Sequence, residues 1–142
     1  MSAHVFIAED EASIISLLKY NLEKEGYKVS YSENGEDALK QIKSKQPDLI
    51  LMDWMLPELS GVEICKNLKK DNKFNDIPII MLTAKGEEED KLKAFDTGAD
   101  DYVTKPFSQK ELNARIRSLL RRSKPQSSSD IVEFTDLKID RI

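Results

Sequence analysis

An α/β fold of five βα units around a parallel sheet is predicted by three observations. Short, bounded apolar runs recur down the chain, segments with apolar residues at helical spacing separate them, and the conspicuous polar groups fall where the apolar runs end. Strict alternation of strand and helix requires crossover connections, which leave the strands parallel and place helices on both faces of the sheet. A strand order of 2-1-3-4-5 suits five units of this size.

The first strand is His4 to Ala8, whose run Val5-Phe6-Ile7-Ala8 ends in the acidic triplet Glu9-Asp10-Glu11. Ile14, Leu18 and Leu22, with Ile15 and Leu17 beside them, give a helix that stops near Gly26. Tyr27 to Tyr31 is a second strand, polar enough to lie near the sheet edge. Asn34-Gly35 opens a helix carrying Ala38, Leu39 and Ile42, which ends before Pro47. The third strand, Leu49-Ile50-Leu51-Met52, is apolar throughout, as expected where both faces are covered. Asp53 closes it, and Pro57 and Gly61 turn the chain into a loop.

Ser60 and Glu63 form a capping-box pattern ahead of a third helix with Val62, Ile64, Cys65 and Leu68. Pro78 to Thr83 is the fourth strand, and a fourth helix from about Glu87 to Thr97 turns Leu92 and Phe95 inward. The fifth strand, Asp101 to Thr104, stops at Lys105-Pro106. Ser108 and Glu111 repeat the capping pattern, and Leu112, Ile116, Leu119 and Leu120 face a fifth helix inward until about Arg122.

These units fill one domain, residues 1–122, and the 142 residues leave no room for a second of full size. Residues 123–130, Ser-Lys-Pro-Gln-Ser-Ser-Ser-Asp, are a polar linker. Ile131, Val132, Phe134, Leu137 and Ile139 suggest short strands with no core of their own, the truncated start of another domain in 131–142. A net charge of −4, from 22 Lys and Arg against 26 Asp and Glu, opposes nonspecific attraction to nucleic acid. The single cysteine, Cys65, excludes an internal disulfide and reads as a small core residue. Neither a signal peptide nor a membrane span is visible, so a cytoplasmic protein is expected.

Adjacent first and third strands bring Glu9, Asp10 and Asp53 to one edge of the sheet. Their mutual repulsion must be relieved by raised pKa values, hydration or a cation. A hard divalent cation such as Mg²⁺ fits best, being held by one or two carboxylates, water and phosphate oxygens; there is no His or Cys cluster for a softer metal. Thr83 adds a hydroxyl from strand four and Lys105 an ammonium from strand five. Carboxylates, a hydroxyl and a cation together suit phosphoryl transfer, with Asp53 as nucleophile. Singly, each residue has an ordinary reading: a helix-start charge cluster for Glu9-Asp10-Glu11, a strand residue for Thr83, a solvated lysine for Lys105, a half-buried strand aromatic for Tyr102. Their joint placement at the carboxyl ends of strands one, three, four and five is what points to a site.

At residues 3–122 the sequence resembles a two-component response regulator receiver domain, a flavodoxin-like (βα)5 fold. The likeness rests on Glu9-Asp10, Asp53 with Pro57 and Gly61, Thr83-Ala84 and Lys105-Pro106-Phe107. It implies that Asp53 accepts a phosphoryl group from a sensor histidine kinase. It further implies that Asp10, Asp53 and the Met55 backbone carbonyl bind Mg²⁺ or Mn²⁺ with Glu9 acting through water, that Thr83 and Tyr102 form a switch pair, and that Lys105-Pro106 is cis. Such a domain is a signalling phosphoacceptor with self-catalysed transfer and autodephosphorylation, not an enzyme acting on a separate substrate.

Asp53-Trp54-Met55-Leu56-Pro57 and the segment from Lys85 to Arg122 are similar to the OmpR/PhoB subfamily, in which phosphorylation promotes a dimer through the fourth helix, fifth strand and fifth helix. The charges agree: acids crowd residues 87–101, whereas Arg115, Arg117, Arg121, Arg122 and Lys124 follow without an acid among residues 115–124. Such a surface is self-complementary under two-fold symmetry. The expected intersubunit pairs are Lys91 with Glu111, Asp101 with Arg115 and Asp96 with Arg117. The resemblance also implies a winged-helix DNA-binding effector after the linker, DNA being bound only through it; a stand-alone or phosphorelay receiver is the alternative. Haloacid-dehalogenase-type phosphatases want a second Asp where Met55 stands, a flavodoxin-like carrier wants a phosphate loop where Glu9-Asp10-Glu11 stands, and there is no Gly-Lys-Ser/Thr loop.

Overall fold

The computed structural model describes residues 2–84 and 98–123. Five parallel strands, β1 (His4–Ala8), β2 (Lys28–Ser32), β3 (Leu49–Asp53), β4 (Ile79–Ala84) and β5 (Asp101–Lys105), form one sheet in the order β2-β1-β3-β4-β5. The described helices are α1 (Ala12–Lys24), α2 (Gly35–Lys45), α3 (Gly61–Lys69) and the fifth helix, α5 (Gln109–Ser123). The expected fourth helix, residues 124–130 of the expected linker and residues 131–142 lie outside the described residues; Ser123, expected to open the linker, is instead the last residue of α5. Among those described, no helix is long and apolar enough to cross a membrane.

Period-two alternation along the strands sorts the core into two layers. Phe6, Ala8, Ile50, Met52, Ile79 and Met81 point to the side covered by α2 and α3, where they meet Ala38, Ile42, Ile64, Cys65 and Leu68. Val5, Ile7, Leu49, Leu51, Ile80, Leu82 and Val103 point to the other, against Leu18 and Leu22 of α1 and Leu112 and Ile116 of α5. Every residue of β3 is buried, as a central strand requires. The β2 strand, at the edge, is mostly polar and half-exposed. Leu17, taken as a neighbour of the inner face of its helix, instead stands largely in solvent.

Side chains anchor the element starts. Asn34 accepts the Asp37 N–H at 2.8 Å, Ser60 the Glu63 N–H at 3.2 Å and Ser108 the Glu111 N–H at 3.2 Å, which caps α2, α3 and α5. Asp48 accepts the His4 N–H at 2.7 Å and so joins the starts of β3 and β1. Asp100 accepts the Ile79 N–H at 2.8 Å and an ammonium hydrogen of Lys69 at 3.1 Å, joining the starts of β5 and β4. Strand register is thereby pinned at the edge where the strands begin, and the opposite edge inherits it. Replacing Ile50 by Ala opens a cavity in a fully buried strand and should lower stability by about 2–5 kcal/mol. Asn34→Ala removes only a cap and should lower it by about 1 kcal/mol. Urea unfolding midpoints at constant slope measure both.

Candidate functional site

The sheet order decides what can meet at the carboxyl edge. Ala8 pairs with Met52, so Glu9 and Asp10 leave β1 beside Asp53, the last residue of β3. Asp53 is level with Leu82 on β4, and the next residue, Thr83, is level with Thr104; Ala84 is level with Lys105. Four strand ends thus deliver all five expected groups to one place.

Glu9, Asp10 and Asp53 each present a carboxylate oxygen, and these oxygens lie within 4.8 Å of one another. Glu9 and Asp53 are buried, whereas Asp10 is exposed. Lys105 Nζ is 3.0 Å from Glu9 Oε1 and 3.5 Å from Asp53 Oδ1. The Met55 N–H donates to Asp53 Oδ1 at a long 3.3 Å, and the Glu11 N–H donates to Glu9 Oε2 at 3.1 Å. Thr83 is fully buried, and among the described residues its hydroxyl has no partner. A buried hydroxyl left unsatisfied is costly, so this one marks a place where an acceptor belongs.

Burial, reinforced by the negative charge of Glu9, raises the Asp53 carboxyl to about 7, against the opposing pull of Lys105 and the Met55 N–H. Burial disfavours the Lys105 ammonium as well, but the ion pairs with Glu9 and Asp53 outweigh it and hold its pKa above the ordinary lysine value. One ammonium cannot neutralise three carboxylates, and the site retains capacity for a further cation. Oxygen-only donors with one exposed carboxylate fit a small hard divalent ion.

The loop after β3 folds back on the strand end that carries Asp53. The Gly61 N–H returns to the Trp54 carbonyl at 3.2 Å, and the Trp54 N–H reaches the Leu82 carbonyl at 3.0 Å. A Cβ on Gly61 would overlap the Asp53 carbonyl oxygen, so only glycine lets α3 start this close to the acid. Met55 stands 67% exposed at the rim. The Lys105-Pro106 peptide is cis, as the resemblance implies.

Tyr102 is half-buried, lies level with Met81 two residues before Thr83, and packs against the core layer on the α2 and α3 side. On the outer face, Arg115 donates to Asp101 Oδ2 at 2.6 Å and to Glu111 Oε2 at 3.0 Å within one chain. Sequence reasoning assigned both acids to partners across a dimer and missed this internal arrangement. The i,i+4 spacing of Glu111 and Arg115 was the signal that could have revealed half of it. Arg117 approaches Glu25 of the same chain, at 3.9 Å. Lys91 and Asp96 lie outside the described residues.

Residues 5–117 match the family described as "Response regulator receiver domain". The chain is 44% identical over 140 residues to the phosphate regulon transcriptional regulatory protein PhoB of Escherichia coli, which covers 99% of this chain and 61% of PhoB. It is 50% identical over 138 residues to the alkaline phosphatase synthesis transcriptional regulatory protein PhoP of Bacillus subtilis, covering 97% of this chain and 57% of PhoP. The chain therefore spans about three fifths of these relatives. Among solved structures it resembles the receiver domain of the sensor histidine kinase PA1611 from Pseudomonas aeruginosa, which has a magnesium ion coordinated in its active site cleft. The TM-score is 0.78 at 27% identity, over 84% of this chain and 98% of that one.

The raised Asp53 pKa has a testable sign. Between the ordinary value of 3.8 and about 7, the folded protein holds a proton that the unfolded chain has released. The stability this contributes is full below about pH 4 and is lost as pH rises to about 7. Without added metal at pH 8, Asp53→Asn should be more stable than wild type by on the order of 2 kcal/mol, and the gap should shrink as pH falls toward 4. Paired urea titrations across that range measure it.

Proposed function

The chain belongs to the response regulator receiver family of two-component signalling, and within it we propose that Asp53 is the phosphoacceptor of a transcriptional regulator of the OmpR/PhoB type. The observation that carries this reading is the convergence of three carboxylate oxygens within 4.8 Å, a lysine ammonium beside two of them and a buried hydroxyl without a partner.

In the proposed reaction a carboxylate oxygen of Asp53 attacks the phosphorus of a phosphohistidine on a sensor histidine kinase. The new O–P bond forms as the N–P bond breaks, and the released imidazole takes up a proton. Asp10, Asp53 and the Met55 carbonyl would hold Mg²⁺, or Mn²⁺, with Glu9 assisting through water; when bound, the ion offsets charge on the phosphoryl oxygens. Lys105 offsets charge from the other side, and the Thr83 hydroxyl donates to a phosphoryl oxygen, which satisfies it. Movement of Thr83 toward that oxygen would free space for Tyr102 to turn inward and bias the surface of β5, α5 and the expected fourth helix toward a homodimer. The proposed dimer contacts are Lys91 with Glu111, Asp101 with Arg115 and Asp96 with Arg117.

We assign 1–122 to the receiver, 123–130 to a linker and 131–142 to the start of a winged-helix effector, DNA being bound only through that effector. Such a regulator acts in the cytoplasm.

Incubation with Mg²⁺ and acetyl phosphate should add one phosphoryl group to wild type and none to Asp53→Asn, read by intact mass. No addition to wild type would sink the phosphoacceptor reading. Light scattering should show the phosphorylated chain shifting toward dimer. Arg115→Ala should accept the phosphoryl group but dimerise more weakly. Phosphorylated wild type that remains a monomer would favour a stand-alone or phosphorelay receiver.

A further inference from the structure

The three acids stand on segments held by one common brace. The β2–α2 corner, residues 32–37, grips both. Its Ser32 carbonyl accepts the Glu9 N–H at 3.1 Å, and its Gly35 N–H donates to the Pro57 carbonyl at 2.9 Å. The corner is itself stiff: Ser32 Oγ donates to Asp37 Oδ2 at 2.6 Å, and Asp37 N–H donates to Asn34 Oδ1 at 2.8 Å.

The loop from Trp54 to Ser60 has no regular structure of its own, and it carries the Met55 carbonyl assigned above to the metal. It is fixed at its near end by the Trp54 and Gly61 hydrogen bonds and at its far end by the Pro57 carbonyl, which accepts from both Gly35 and Leu59. Between these anchors Glu58 is held at φ +75°, a conformation that a residue with a side chain adopts only under constraint. The Leu59 N–H closes that turn onto the Pro57 carbonyl at 2.9 Å, and Gly35 stands directly against it. A Cβ there would overlap the Leu59 carbonyl oxygen and stand 2.6 Å from its carbonyl carbon and 2.8 Å from Leu59 Cβ. The main contact is with backbone, which cannot rotate away as a side-chain tip can.

We infer that Gly35 is a positioning residue for the phosphoacceptor site: by admitting the 54–60 loop against the start of α2, it sets the place of the Met55 carbonyl and hence the affinity for Mg²⁺. Gly35 touches neither the acids nor a substrate, and its influence passes wholly through the loop. The inference rests on the receiver reading, which supplies the metal.

The experiment uses the 142-residue chain and Mg²⁺ alone. Calorimetric titration should show Gly35→Ala binding Mg²⁺ about tenfold or more weakly, the scale on which supports of metal ligands act. Ile42→Val is the control: it loosens the buried face of the same helix without intruding on the loop, and it should leave Mg²⁺ affinity within about twofold of wild type while lowering stability. Equal affinities in Gly35→Ala and wild type overturn the inference, as does an equal loss of affinity in Ile42→Val. If Gly35→Ala does not fold, hydrogen exchange on wild type decides: saturating Mg²⁺ should slow exchange of the Gly35 amide, and an unchanged rate overturns the role. A wild-type chain that binds no Mg²⁺ sinks the receiver reading itself, a result distinct from all of these.

Discussion

Glu9, Asp10 and Asp53 are forced together at one sheet edge with the Lys105 ammonium beside two of them. Like charges at such range are unfavourable wherever water is scarce, and nothing local to any one segment brings them there. The strand order does it, because β1 and β3 are neighbours and β3 is buried on both faces. The hydrophobic layers therefore hold the acids in place, and burial, reinforced by the charge of Glu9, raises the Asp53 pKa there. Thr83 adds a second unmet need, a hydroxyl without an acceptor. Excess negative charge and an idle donor together describe a site complementary to a cation and to an anionic oxygen at once.

The outer face is arranged differently. Arg115 is more than one-third exposed, and it already binds Asp101 and Glu111 of its own chain. Surface ion pairs of this kind are worth roughly 0–1 kcal/mol each. Exchanging an internal acid for one on a second copy would thus change little in energy either way. In the proposed dimer, a small shift elsewhere in the domain would be enough to decide between pairing inward and pairing outward.

Much of this was legible in the sequence because it depends on local pattern. Five short runs gave the strands within a residue or so, and Asn34, Ser60 and Ser108 announced helix starts through side chains that bond three residues on. Asp53, Thr83 and Lys105 stood out because each falls at the carboxyl end of a strand. Three features were not legible. The inward pairing of Arg115 depends on where β5 lies against α5, the joining of strand starts by Asp48 and Asp100 depends on sheet neighbours, and the close approach of Gly35 to Leu59 joins segments with a strand between them. Gly35 in particular reads locally as part of an ordinary helix opening, since nothing near it in sequence reveals the backbone it must admit.

Asp48 and Asp100, at the edge where the strands begin, are the same chemical groups as the acids of the site. There each carboxylate takes a backbone N–H, and Asp100 takes the Lys69 ammonium as well, with Lys69 also donating to the Asn75 and Ile77 carbonyls at 3.2 Å and 3.0 Å. These acids are sated by the protein's own donors and exert no demand on solvent ions. The two rims of one sheet thus carry like residues to opposite ends: one rim is sutured shut by its aspartates, and the other is left hungry by them. Reactivity in this molecule lies less in which side chains it owns than in which it declines to satisfy.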